Sequence, residues 1–327
     1  MSTTILQTTT RTAPERPAAL RPLFERPVLL ATDGANAASA AVRFTSALAR
    51  KRRASPQVVT VLPPAAPGAA PVTRLASRAD EEAEADRRAE WRDHVRGQLH
   101  ALAAPGQGDA WPLDVEVGSP ATAITRTART HDVGSIVIGL RPHGTLDRIF
   151  RDETALLVAR NAAVPVLAIA PTLTDLPRRV IAAVDFSRAS LGAVRAAVSV
   201  LAEGGTLLLV HVQPEIDFTP EQAEGYGVIY SQGVASAFAR LQQELVVPPG
   251  VTVQPVLLRG NATTELLALA DRAGADLIAV GSQRHGPGRL SLGSVTRSLV
   301  REGRVSLLVT PPPDHPVPGA AADRRAS

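Results

Sequence analysis

Val28-Leu29-Leu30-Ala31-Thr32-Asp33 and Val180-Ile181-Ala182-Ala183-Val184-Asp185 are two short apolar runs, each closed by an aspartate, in the two halves of one chain. An Ala-rich stretch of helical length follows each, Ala37 to Arg50 in the first half and Ser190 to Ala202 in the second. Later come Ile136-Val137-Ile138-Gly139 and Leu277-Ile278-Ala279-Val280-Gly281. The interval from Gly118 to Gly260 equals that from Gly139 to Gly281, so the register of the repeat is steady there. Between Val61 and Gly118 the first copy runs about ten residues longer than its counterpart. A duplicated chain is its own control. What both copies keep, the fold demands; where they differ, one has kept a function that the other lost.

Working outward from these runs, strands are expected near 27–32, 57–62, 113–117, 134–139 and 164–169, and again near 179–184, 206–212, 251–257, 276–281 and 305–310. Leu207-Leu208-Leu209-Val210 is apolar at every position, as in a parallel strand buried on both faces. Strands alternating with helices such as Thr263 to Ala273 predict a parallel sheet covered on both sides. The fold class is therefore α/β: two tandem doubly wound domains, each a five-stranded parallel sheet flanked by helices. Domain 1 is expected over 27–170 and domain 2 over 179–312, with a linker at 171–178. The polar, Pro- or Ala-rich ends, 1–26 and 313–327, read as disordered tails. The extra length of the first copy holds a Pro/Ala/Gly-rich loop at 63–71 and a charged helix from about Ala79 to Leu102. That helix is acidic at its start and more basic later, as the helix dipole favours, and reads as a solvated surface helix.

Composition narrows the function by exclusion. The 327 residues suffice for two domains, each with its own core. No apolar run approaches the roughly 20 residues that span a bilayer, and the N-terminus lacks the apolar stretch of a secretory signal. No membrane is expected as a partner, and the expected location is cytoplasmic. With no cysteine, disulfides, thiolate metal sites and cysteine nucleophiles are excluded. The pI near 10.4 reflects the very high pKa of the many arginines, because the net charge is only +4. Aromatic residues make up 3%, too few for a base-stacking platform, so no nucleic acid is expected either. No metal-ligand spacing, Gly-x-Ser-x-Gly elbow, Walker loop or dinucleotide glycine motif occurs.

Ligands of open parallel sheets sit beyond the carboxyl ends of the strands, where strand order reverses. Four features fall at such ends in each copy: the Asp closing strand 1, the Val after strand 2, the Gly after strand 3 and the Gly ending strand 4. In the second copy Gly281 leads through Arg284, His285 and Gly286 to Gly293-Ser294-Val295-Thr296 at the start of a helix. Small residues before a helix N-terminus, with its free N–H groups and positive dipole end, suit a phosphate. The Ser294 and Thr296 hydroxyls add donors; alternatively Ser294 is simply an N-cap. The repeated His-Gly pairs, His143-Gly144 and His285-Gly286, read as turns in which glycine supplies positive φ. His211 in strand 2 reads as a satisfied core histidine.

This pattern resembles the universal stress protein family in a tandem two-domain form. Its carriers are Ala31-Thr32-Asp33, Leu209-Val210-His211-Val212, Gly118-Ser119-Pro120, the Gly274-to-Gly281 run and Gly293-Ser294-Val295. The resemblance implies a nucleotide-binding α/β hydrolase-like arrangement. It further implies ATP in domain 2, with Asp185 and Val212 at the nucleoside and Gly281, Gly286, Gly293, Ser294 and Thr296 around the phosphates. The family loop has the form G-x2-G-x9-G-S/T. Here Arg284 stands where its second glycine belongs, with Gly286 two places on, and the span from Gly281 to Gly293 is one residue shorter. Two readings of Arg284 stand side by side: a direct phosphate contact, or a block to close approach.

The first copy departs further, because Arg151-Asp152-Glu153 replaces Gly293-Ser294-Val295. Two carboxylates at a helix N-terminus suit its dipole and repel a triphosphate. The acidic pair reads as filling the anion site from within. The apolar last strands, Val164 to Ile169 and Val305 to Val309, are edges that seek partners, and family members dimerise through this strand. A tandem chain can make that contact internally as a pseudo-dimer, or form a homodimer of tandems. The leading expectation is a stress-response binding module rather than an enzyme. A nucleotide-free scaffold of the same fold and an ATP-hydrolysing enzyme are the alternatives.

Overall fold

The apolar runs become buried parallel strands, and the Ala-rich stretches become the helices that cover them. A computed structural model describes residues 4–5, 26–62, 78–140, 148–215, 220–282, 292–302 and 304–311. The chain forms two units that divide between Asp175 and Leu176, within the stretch expected as a linker. A two-residue strand, β1 (Thr4–Ile5), belongs to the second unit. The first unit runs β2 (Val28–Ala31), α1 (Ser39–Arg52), β3 (Gln57–Leu62), α2 (Arg78–Leu102), β4 (Leu113–Val117), α3 (Pro120–Thr130), β5 (Ser135–Gly139), α4 (Arg148–Asn161) and β6 (Val166–Ile169). The second continues with β7 (Arg179–Ala183), α5 (Arg188–Val200), β8 (Thr206–Gln213), α6 (Pro220–Glu244), β9 (Thr252–Arg259), α7 (Ala262–Ala273), β10 (Leu277–Gly281), α8 (Ser294–Glu302) and β11 (Ser306–Thr310).

Within the first unit the strand order is β6-β5-β2-β3-β4, all parallel. Within the second it is β9-β8-β7-β10-β11, again parallel. Each parallel sheet therefore has its first strand at the centre, and the strand order reverses beside it, between β2 and β5 or between β7 and β10. This is the doubly wound arrangement expected from the alternation of elements. One feature departs from the expected tail. Thr4–Ile5 pairs antiparallel with β9, at Thr4 with Leu257 and Ile5 with Val256, so this sheet is mixed. The outer edge of β9 offers unpaired N–H and C=O groups, and a β-branched pair suits that role. The rest of 1–25, and 312–327, lie outside the described residues.

Leu30, Val58 and Val137 of the first sheet and Ile181, Leu207 and Ile278 of the second are wholly buried. Each such side chain contributes about 1.5–3 kcal/mol relative to an exposed one. Helix ends are set locally. The Ser187 hydroxyl caps α5 by accepting from Ser190 N, and Asn261 Oδ1 caps α7 by accepting from Thr264 N. Gly274, at φ 60°, ends α7 in the left-handed conformation. Ser187→Ala and Asn261→Ala are each expected to lower stability by about 1 kcal/mol, read as a fall in urea midpoint with unchanged slope.

Helix α2 corrects one expectation. It is amphipathic rather than merely solvated: Val95 and Leu99 are fully buried, and Trp91 Nε1 donates to Thr60 Oγ1 at 2.7 Å. Arg96 donates to the Trp111 carbonyl at 2.7 Å, tying α2 to the start of β4. The abundance of charge in this helix hides the apolar pair four residues apart. Among the described residues no helix is long and apolar enough to cross a membrane.

Candidate functional site

In the second unit the carboxyl ends of β7, β8 and β10 and the starts of α5, α7 and α8 surround a cavity of about 520 Å³. That is an ordinary size for a small-molecule site. Val184 and Asp185 come from beyond β7, Val210 to Val212 from β8, and Gly281 from the end of β10. Ala262 and Leu266 of α7 supply apolar wall, and Leu292 to Arg297 supply the side formed by α8. Asp185, Val212, Gly281, Gly293, Ser294 and Thr296, expected at the site from sequence, thus line one cavity. Arg284 and Gly286, with both His-Gly pairs, lie outside the described residues.

The two copies separate structural from functional duties. Asp185 Oδ1 accepts from Ser187 N at 3.0 Å, and Asp33 Oδ1 accepts from Ala35 N at 3.0 Å. The shared aspartate therefore builds the same turn twice. The next residue has positive φ in both, Gly34 at 74° and Phe186 at 60°. Phenylalanine is strained there and is held by packing. Its ring lies 5.2 Å from that of His211 and meets Phe238 edge-on at 5.3 Å. His211 is indeed satisfied. The Val184 carbonyl can only accept, so Nδ1 carries the proton and donates to it at 2.6 Å, while Nε2 takes the Tyr230 hydroxyl at 2.7 Å.

Gly281 also has a packing duty. A Cβ there would lie 2.5 Å from the Ala189 carbonyl carbon and 2.7 Å from Ser190 N, at the start of α5. Gly139 is placed alike, 3.0 Å from the Ala37 oxygen and 3.1 Å from Ala38 Cα. At Gly281 the start of α5 crosses the end of the fourth strand too closely for a side chain, and at Gly139 the turn leading into α1 makes a similar but looser crossing.

Gly293 is different. A Cβ there would meet nothing within 4 Å, and its φ is not in the left-handed region. It precedes α8, whose first turn is closed by Arg297 N donating to the Gly293 carbonyl at 3.1 Å. Where α5 and α7 have side-chain caps, the N-cap position of α8 has no side chain at all. Ser294 is exposed and Thr296 is only 2% exposed, and among the described residues neither hydroxyl has a hydrogen-bond partner. Uncapped N–H groups, two hydroxyls and the dipole end of α8 make this side of the cavity receptive to an anion. In the first unit the matching loop, 141–147, and the side chains of Arg151, Asp152 and Glu153 lie outside the described residues.

Asp185 is the one carboxylate among the described lining residues and Arg297 the one cation. Sequence reasoning did not single out Arg297, Ser187 or Leu266. A helix phase counted from Ser294 finds Arg297, which is three residues on and shares its face. Among the described residues no cluster of three or more His, Asp or Glu side chains is placed to hold a metal.

Comparison with known proteins agrees with the fold. The universal stress protein family model matches twice, over residues 25–170 and 177–311. A universal stress protein from Archaeoglobus fulgidus DSM 4304 is similar in structure, with TM-score 0.59 and 19% identity over 89% of this chain and 98% of that one. A functionally unknown protein from Pseudomonas aeruginosa PAO1 has TM-score 0.58 and 14% identity over 89% of this chain and 94% of its own. No protein of curated function matches the sequence significantly. With both copies of its repeat matched, the chain belongs to the universal stress protein family, as a tandem of two domains.

Proposed function

We propose that the second domain binds one adenine nucleotide, ATP, and that the first domain is structural. The observation behind this reading is the start of α8. Gly293 and Ser294 have no duty in packing, yet they line the cavity that Asp185 also lines. In this reading Asp185 and Val212 sit at the nucleoside, and the phosphates meet the uncapped turn of α8. Gly281, at the end of β10, lines the same cavity. The protein acts as a cytoplasmic binding module in stress adaptation rather than as a catalyst. Asp185, the one carboxylate among the described lining residues, already holds the Ser187 amide, which leaves it poorly suited as a general base.

Equilibrium dialysis with labelled ATP tests the proposal. The expected result is saturable binding at one nucleotide per full chain. Two per chain would overturn the assignment of the first domain as structural. No retention would favour the nucleotide-free scaffold, and turnover above that of a Gly293→Glu control would favour an enzyme.

A further inference from the structure

We propose that Arg297 makes the second-domain cavity selective for extended nucleoside polyphosphates over nucleoside monophosphates and cyclic monophosphates. This inference rests on the nucleotide reading above and goes further, by naming the residue that reads the length of the phosphate chain.

Three observations combine. First, the described lining is polarised, with Asp185 beyond β7 and Arg297 in the first turns of α8, so the cavity offers a carboxylate for hydroxyl donors and a guanidinium for an anion. Second, Arg297 lies three residues beyond Ser294, and both are exposed at the cavity. A helix places such residues on one face and its side chains lean toward the N-terminus, so Arg297 is carried toward the anion-receptive turn on the Ser294 side. Third, Thr296 is 2% exposed, lines the same cavity and has no hydrogen-bond partner for its hydroxyl among the described residues. The side chain is nearly buried while its hydroxyl is not fully enclosed, so it opens into the cavity it lines and is a donor available to a ligand.

The amides of α8 and the Ser294 and Thr296 hydroxyls suffice for the first phosphate of any nucleotide. A guanidinium beside donors that already satisfy one phosphate adds most to a ligand that has more phosphate and more charge to offer. It presents planar paired donors to phosphate oxygens, and its charge acts on the full charge of a triphosphate. A cyclic monophosphate, with one negative charge held against the ribose, gains least.

Titration calorimetry with ATP, ADP, AMP and cAMP, on the full chain and on Arg297→Gln, tests the proposal. The wild-type chain is expected to bind ATP at least about tenfold more tightly than AMP or cAMP, a preference typical of one charge-assisted contact. Arg297→Gln is expected to narrow that preference to about threefold or less, chiefly through loss of ATP affinity, and Arg297→Lys to restore part of it. The nucleotide-free melting temperature reports any damage to the fold; Arg297 is exposed, so little change is expected. If wild type binds ATP but Arg297→Gln keeps the full preference, the role of Arg297 is overturned and nucleotide binding stands. If wild type binds none of the four, the nucleotide reading itself fails, and this inference with it.

Discussion

Gly293→Glu is expected to abolish ATP binding while leaving the melting temperature of the nucleotide-free protein within about 2 °C of wild type. The two halves of that expectation have separate physical grounds. A Cβ at Gly293 meets nothing within 4 Å, and the backbone does not need the left-handed conformation, so the fold has room for the new side chain. A carboxylate at the start of α8 even suits the helix dipole. Against a phosphate in the same place it is severe: two like charges about 4 Å apart repel by about 4 kcal/mol at the effective dielectric of a protein surface, near a thousandfold in affinity. Dialysis and thermal melting on one preparation give both readouts. Retained ATP affinity in a folded Gly293→Glu chain would remove α8 from the site.

The second large effect is on stability. Gly281→Ala is expected to cost about 3 kcal/mol or more, because the new methyl would meet backbone atoms of α5 at 2.5–2.7 Å and cannot be relieved by a side-chain rotation. In a domain of this size that is a fall of roughly 6–12 °C in melting temperature. Gly139→Ala, where the nearest approach is 3.0 Å, should cost less, about 1–2 kcal/mol. Urea unfolding of each variant measures the difference. An unfolding midpoint unchanged by Gly281→Ala would mean that the glycine serves the ligand and not the packing of α5 on β10. The contrast with Gly293 is the point of making both variants. Gly281 supports the fold, whereas Gly293 has room for a side chain and is the one the proposed function assigns to the ligand.

Much of this architecture can be read from the residues. Leu207 to Val210 and Leu277 to Val280 have no polar position, and only strands buried on both faces tolerate that. The strand-end aspartates and the Gly293-Ser294 step point to one end of the sheet, and the cavity lies there. Helix α6 is less legible. Gly225, Gly227 and Gly233 lower its intrinsic helicity, and it is placed by the burial of Val234, Phe238 and Leu241, a tertiary effect that local propensity does not contain. The packing duty of Gly281 is hidden for the same reason: a motif shows that a glycine is present, not which backbone crosses it. Arg297 was invisible because an arginine in a surface helix is ordinary until the fold brings Asp185 to the same cavity.

The position of β7 has a consequence for how the protein is made. It is the first parallel strand of its domain to leave the ribosome and the one that ends at the centre, with Ile181 registered on Leu208 at one side and on Ile278 at the other. The first neighbour follows within a short stretch of synthesis; the second arrives only after β8, α6, β9 and α7 have been made. Until then a nascent chain holds a largely apolar strand with one open edge, the kind of surface that recruits the wrong partner. Domain 1 meets the same wait at β2 but ends at β6, before β7 begins. Translation thus handles the two exposed edges in turn, never both at once, which limits the mispairing that two copies of one fold in a single chain invite.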